Sequence, residues 1–245
     1  MTEHSIRTAL VTGADRGLGY EMTVRLLDEG FRVYAGKFND EYSLLDRLAE
    51  EYPELRPVQL NVSVYEEIVN VEKIIREECG YLDLLVSNAA FMGGPQNDQV
   101  GGDVPIDFDL MRFSFNTNTA PAPVLVDVFL PLLLKSDYRR LHFTSSEISS
   151  VRLMKRTGSM RYAMTKSALN VGVRLMFNEL RPLGFRFRLF QPGWMKRMMP
   201  DGTLDPRARL DPKQSAEMAV KLILEDRPDE DRLTLVDYLG HELSF

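Results

Sequence analysis

Cysteine is almost missing from this chain: Cys79 stands alone among 245 residues. No intramolecular disulfide can form, so the fold must rest on its core, and a reducing compartment, the cytoplasm, is the expected location. Histidine is nearly as scarce. His4, His142 and His241 share no ligand spacing and give no metal pattern. His142 lies in an apolar run and reads as core. Long hydrophobic runs are absent as well. Residues 124–134 are apolar but short and contain Pro131, against the roughly 18 residues a membrane helix requires. Residues 1–10 hold no apolar stretch of signal-peptide length, so neither export nor membrane association is expected. Positive charge is in deficit: 30 basic against 36 acidic side chains leave a formal charge of −6. That excludes binding to nucleic acid through overall charge.

What is present is a rhythm. Short β-rich runs at residues 8–12, 32–36, 57–61, 82–87, 140–145, 185–191 and 233–236 alternate with amphipathic stretches at 18–29, 41–51, 64–78, 111–134, 163–180 and 212–225. Ile68, Val71, Ile74 and Ile75 keep helical spacing. The strand runs are nearly continuous in Val, Leu, Ile and Phe, as expected for strands buried on both faces. With 44% hydrophobic residues, the chain fits one α/β domain over residues 1–245, a doubly wound parallel sheet of about seven strands flanked by helices. Two stretches, 91–109 and 194–209, read as long loops. Both follow strands, where the ligands of doubly wound folds bind.

The first strand runs into Thr12-Gly13-Ala14-Asp15-Arg16-Gly17-Leu18-Gly19 and then a helical pattern. Glycines let backbone approach a pyrophosphate, and a helix start offers it unpaired N–H groups. The spacing is Gly-x-x-x-Gly-x-Gly, not the common Gly-x-Gly-x-x-Gly. It resembles the short-chain dehydrogenase/reductase family, and the resemblance extends from about Arg7 to the C-terminal residues 233–245. The fold implied is a Rossmann-type domain, the activity an oxidoreductase of carbonyl-reductase type using a nicotinamide cofactor.

Tyr162-Ala163-Met164-Thr165-Lys166 resembles the family's Tyr-x-x-x-Lys. At i and i+4 on a helix both side chains share one face. Carbonyl reduction needs a proton for the developing alkoxide, and a free phenol is too weak an acid for neutral pH. Lowering it by roughly 3 units requires about 4 kcal/mol. An ammonium about 4 Å away supplies around 4 kcal/mol at an effective dielectric of 20, so one lysine suffices. The resemblance further implies that Lys166 holds the nicotinamide ribose, that Ser146 steadies the substrate oxygen and that Asn118 maintains a proton relay through water. Ser145, with Ser149 and Ser150 behind it, competes with Ser146, because the gap from Ser146 to Tyr162 is longer than the family's. Counting back from Pro131 favours Asn118 over Asn116, and a helix cap or helix hydrogen bond is the alternative role for either.

For the cofactor, the resemblance implies contacts from Gly13, Asp15, Arg16, Gly17, Leu18 and Gly19 in the first loop. Asn61 and Val62 would lie near the adenine, with Asn88 and Ala89 after the fourth strand. Pro192, Gly193 and Met195 follow the sixth run. NADP(H) is favoured over NAD(H), because Lys37 ends the second strand without an acid and Arg16 sits inside the glycine loop. Asp40 and Glu41 point the other way unless they open the next helix, where acids suit the dipole. The pattern departs from the family at Ser87–Ala90 and at Arg197, which stands where threonine is usual. Arginine cannot accept a hydrogen bond from a carboxamide nitrogen. Met195, Met198 and Met199 suggest an adaptable apolar wall. The expected protein is thus an NADP(H)-dependent oxidoreductase acting on a small carbonyl or alcohol, assembled as a homo-oligomer through the helices bearing Asn118 and Tyr162. The departures leave a nucleotide-binding sensor on the same fold as the alternative.

Overall fold

The computed structural model describes residues 6–39, 41–94, 98–199, 203–204 and 208–245. His4, Asp40, Pro95, Pro200, Gly202 and Pro206 lie outside them. Eight strands form one sheet in the order β3-β2-β1-β4-β5-β6-β7-β8. They are β1 (Thr8–Val11), β2 (Arg32–Lys37), β3 (Leu55–Gln59), β4 (Leu84–Ser87), β5 (Arg140–Thr144), β6 (Arg186–Gln191), β7 (Leu235–Asp237) and β8 (Glu242–Leu243). The first seven are parallel, and only β8 runs antiparallel against β7. Sequence reading places about seven strands; the eighth is a two-residue hairpin arm, too short to carry a periodic signal.

Helices cover both faces. On one side lie α3 (Tyr65–Glu78), α4 (Phe108–Asn118), α5 (Pro121–Leu133) and α6 (Met160–Leu180); on the other lie α1 (Gly17–Asp28), α2 (Leu44–Glu51) and α7 (Pro212–Leu224). The two-sided cover explains why β1 and β5 are buried at every residue. Leu10 of β1 joins the core under α3, α5 and α6, while Ala9 and Val11 join the core under α1 and α7. In α3 the buried Ile68, Val71 and Ile75 form the inward stripe. Among the described residues no helix is long and apolar enough to cross a membrane.

The stretch 111–134 is two helices, not one. Pro121 has no N–H to donate and its ring would clash one turn back, so it opens a new helix at its first position. α4 in turn starts earlier than its apolar pattern suggests, because Asp107 caps it by accepting from Leu110 N at 2.9 Å. α6 likewise starts at Met160, three residues before the apolar pattern begins.

At the amino edge of the sheet, two buried arginines close the carboxyl end of α7. Arg188 donates to the carbonyls of Leu222 and Glu225, each at 2.6 Å, and pairs with Glu230 at 2.6 Å. Arg140 donates to Ile223 O and Glu225 O and pairs with Asp226. These carbonyls are the ones a helix leaves unpaired.

His142 neighbours Arg188 in the β5–β6 register, and among the described residues neither of its ring nitrogens has a hydrogen-bond partner. Burial, aided by the Arg188 charge, lowers its pKa to about 3. The unfolded imidazole takes up a proton below about pH 6.5, whereas the folded one stays neutral down to about 3. The fold therefore loses stability as the pH falls through that window. Replacing His142 by leucine removes this loss. In urea titrations the stability gained by His142→Leu over wild type should be about 2 kcal/mol larger at pH 5 than at pH 7. An equal difference at both pH values would contradict a buried neutral imidazole.

Candidate active site

Where β1 ends, side chains tie three strands together. Thr12 Oγ1 accepts the backbone N–H groups of Asn88 at 2.9 Å and Ala89 at 3.0 Å. Asn88 Nδ2 donates back to Thr12 O and Gly13 O at 3.0 and 3.2 Å, and its Oδ1 accepts from Thr144 Oγ1 at 3.2 Å. The carboxyl ends of β1, β4 and β5 are thereby held in one arrangement. Thr12 opens the glycine motif and Thr144 ends β5, but no such bonds are expected of either from the sequence.

The glycines divide by cause. A Cβ on Gly19 would lie 2.0 Å from Gly13 O, and one on Gly13 would lie 2.9 Å from Ala89 Cα, so packing demands both. A Cβ on Gly17 would meet nothing within 4 Å; its φ of +57° and the open space beside it are what glycine provides there. Arg16, which precedes α1, is extended and gives no side-chain cap. The N–H of Gly17 reaches the thioether of Met198 at 3.4 Å, a weak acceptor. An uncapped helix start beside open space fits a pyrophosphate. Leu18 is buried, so its side chain packs in the core and only its backbone faces this space.

Around the loop, Asp15 is buried and burial raises its carboxyl pKa, opposed by Arg16 at 2.7 Å. The Arg16 guanidinium lies 4.5 Å over the ring of buried Tyr42. Lys37 ends β2 with its ammonium 3.8 Å from Asp46. Asn61 spends its Oδ1 on the N–H of Ser63 at 3.0 Å, which leaves its amide nitrogen for a ligand. The side chain of Val62 belongs to the core under α3, which leaves its backbone for a ligand.

Tyr162 and Lys166 lie one turn apart in α6, with the ammonium 5.8 Å from the centre of the phenol ring. Lys166 is 2% exposed, and among the described residues its hydrogen bond goes to Thr144 O at 2.8 Å. Its remaining N–H donors suit ribose hydroxyls. Burial lowers its pKa to about 8. Tyr162 is half-buried, and burial pushes its phenol above the ordinary range. Burial sets the direction of that shift while the ammonium stands 5.8 Å from the ring centre.

Ser145 and Ser146 differ in their bonds. Ser145 is buried and donates to Asn170 Oδ1 at 2.6 Å, while Ser149 donates to Ser146 O at 2.5 Å. Ser146 is half-buried, and its oxygen accepts from Ile148 N at 3.4 Å, so its proton is left to donate. The long gap to Tyr162 is taken up by a 3₁₀ turn over Glu147–Ser149 and the loop after it. In Asn118, Oδ1 accepts from Phe91 N at 2.6 Å, and Nδ2 donates to Phe91 O at 3.0 Å and Thr165 Oγ1 at 3.2 Å. The side-chain amide clips a loop to α6, so a relay through water would have to start from the backbone carbonyl of this residue.

After β6, Pro192 O accepts from Ser215 Oγ at 2.8 Å and Gly193 turns at φ +80°. A Cβ on Gly193 would meet Leu210 at 2.6 Å. Met195 pairs with Leu210 through an isolated bridge and is half-buried, whereas Arg197 and Trp194 are exposed. A cavity of about 420 Å³ beside Glu147, Leu153, Arg156 and Leu243 is lined by neither Tyr162 nor Lys166. Among the described residues no cluster of His, Cys, Asp or Glu could hold a metal ion.

Comparison with known proteins agrees with this geometry. The family model for short chain dehydrogenase matches residues 7–205. An uncharacterised oxidoreductase of Myxococcus xanthus is 29% identical over 199 residues, 80% of this chain and 75% of that protein. The carbonyl reductase Sniffer of D. melanogaster superposes with a TM-score of 0.87 at 22% identity, covering 98% of this chain and 100% of that one, a likeness of fold. An NADPH-bound carbonyl reductase from chicken fatty liver gives 0.84 at 25% identity, covering 98% and 99%. The chain belongs to the short-chain dehydrogenase/reductase family and is an NAD(P)-dependent oxidoreductase.

Proposed function

We propose that this protein is an NADP(H)-dependent carbonyl reductase whose general acid is Tyr162. The observation that carries the reading is a buried ammonium, Lys166, bonded to Thr144 O on the same helix face as a half-buried phenol. Nicotinamide, when bound, supplies the hydride or takes it back. Tyr162 holds the proton that the carbonyl oxygen needs as it becomes a hydroxyl. At neutral pH the phenol carries its proton, the form a proton donor to the carbonyl oxygen needs. Lys166 orients the ribose hydroxyls and steadies the phenolate after transfer. Ser146 donates to the same substrate oxygen and stabilises its developing charge. Asn118, through its bonds to Phe91 and Thr165, keeps the loop and α6 in register.

The phosphate-bearing end would sit on Gly13, Gly17 and Gly19, with Asp15 fixing Arg16. Arg16 and Lys37 favour NADP(H), in line with the NADPH held by the chicken enzyme. Asn61, the backbone of Val62, and Asn88 with Ala89 would line the adenosine side; Pro192, Gly193 and Met195 would flank the nicotinamide. Replacing Arg16 and Lys37 together by alanine should weaken NADPH binding by about 10–100-fold, one or two charge-assisted bonds, and leave NADH binding unchanged. Equal losses for both cofactors, measured by quenching of protein fluorescence, would show that these cations do not read the 2′-phosphate.

Self-association belongs to the same reading. Phe108 and Phe115 on α4 and Met164, Val171 and Leu175 on α6 are exposed on neighbouring helices, which suits a second copy of the chain. Sedimentation should give a mass of two or four chains, and a monomer at micromolar concentration would reject this. A cytoplasmic setting is proposed from the lone thiol.

A further inference from the structure

We propose that Asp98 is a positioning residue for Tyr162: it caps the catalytic helix from a loop sixty residues away and so sets where the phenol points. The inference rests on the carbonyl-reductase reading above. A helix start leaves its first N–H groups unpaired. Ser159, the residue before α6, makes no side-chain cap bond and sits at φ +63°, a left-handed conformation unusual for a residue other than glycine. Asp98 supplies the cap instead. Its Oδ1 accepts from Met160 N at 3.1 Å and its Oδ2 from Arg161 N at 3.0 Å, with the carboxylate 7% exposed. A buried negative charge at the positive end of the helix is favourable on both counts.

The return connection comes from Arg161. Its side chain is 3% exposed and donates to Gly93 O at 2.6 Å and Ser114 Oγ at 2.8 Å. Its guanidinium lies 5.8 Å from the Phe91 ring, and Phe91 is the residue clipped by Asn118. Asn118 also takes Thr165, one residue before Lys166. The loop leaving Asn88 and Ala89 is therefore fastened to α6 immediately before Tyr162 and again immediately before Lys166. Displacing a reacting group by about 1 Å costs roughly 100-fold in rate, so loss of the cap should appear as lost turnover rather than lost cofactor binding.

The test compares wild type, Asp98→Ala and Asp98→Asn, using NADPH and 4-nitrobenzaldehyde as the carbonyl probe. Asparagine keeps one of the two acceptors. Asp98→Ala should lower kcat by about 10–100-fold while the KM for NADPH stays within about twofold, and Asp98→Asn should recover kcat to within about fivefold of wild type. Wild-type kcat in Asp98→Ala, or no recovery in Asp98→Asn, overturns the proposal. If Asp98→Ala does not fold, the tyrosinate midpoint of Tyr162 in Asp98→Asn with NADP bound decides: a measurable shift from wild type supports the cap, and an unmoved midpoint rejects it. Should wild type reduce no carbonyl probe, the functional reading fails on its own. The positioning claim is then decided by the tyrosinate titration of Tyr162, taken as the difference from Tyr162→Phe with NADP bound. A midpoint moved by about half a unit or more in Asp98→Ala supports it, and an unmoved midpoint overturns it.

Discussion

Tyr162→Phe should reduce NADPH-dependent carbonyl turnover by about 100- to 10,000-fold while leaving the affinity for NADPH within a few-fold of wild type. The magnitude is what a positioned proton donor contributes. The substitution removes one oxygen from a half-buried ring and leaves the ring's packing and the Lys166 bond to Thr144 O in place, so a change in fold would not explain the loss. The alternative donors are poorly placed. Ser145 is committed to Asn170, and Ser146 is an alcohol with no general base among its bonds. A variant that turns over at the wild-type rate would mean that the proton comes from elsewhere, and would favour a site whose tyrosine is only part of a nucleotide-binding surface.

The second large effect separates two glycines of one loop: Gly19 is needed for packing, Gly17 for the ligand. Gly19→Ala places a methyl 2.0 Å from Gly13 O and 2.7 Å from Asn88 Nδ2. The first is backbone and cannot swing aside, so the loop must move and the Thr12–Asn88 clip with it. Losses of several kcal/mol in stability are typical of such overpacking at a restrained site, and soluble folded protein is not expected at wild-type yield. Gly17→Ala meets no protein atom and carries only the left-handed strain of about 1–2 kcal/mol. Its methyl would occupy the space beside the uncapped N–H groups of α1. Gly17→Ala should therefore fold, with a modest fall in Tm, and bind NADPH at least tenfold more weakly. If Gly17→Ala binds NADPH as tightly as wild type, the pyrophosphate does not lie at this helix start.

Much of the architecture is legible in the sequence because parallel strands covered on both faces are written as uninterrupted apolar runs. Ala9, Leu10 and Val11, or Leu84, Leu85 and Val86, leave little room for another reading. The glycine loop and the Tyr162–Lys166 pair are legible for a related reason: their function depends on local spacing along one element. What escapes is set by contacts distant in sequence. Asp98 and Arg161 are 63 residues apart, and nothing near either indicates the pairing. Thr12 looks like any strand-end threonine until Asn88 and Ala89 are brought to it. The bonds of Asn118 are likewise long-range, so the clip it forms between the loop and α6 has no signal in the residues around it. The break before α5 was available in Pro121, but the surrounding apolar residues continue the helical period across it.

Burial also acts on charge in a way that residue spacing cannot convey. A lysine four residues after a tyrosine suggests a phenol made acidic, yet desolvation raises Tyr162 and lowers Lys166 to about 8. The unfolded lysine keeps its proton to about pH 10.5, so between about 8 and 10.5 the folded chain binds fewer protons and its stability rises with pH; above about 10 the raised phenol opposes this.

A crystal structure with NADPH bound tests the central claim most directly. The expected result is the nicotinamide ribose within about 3 Å of Lys166 Nζ, with the ring and the Tyr162 hydroxyl flanking one space large enough for a carbonyl group. A dinucleotide lying elsewhere on the sheet edge, or a nicotinamide turned away from Tyr162, would contradict it.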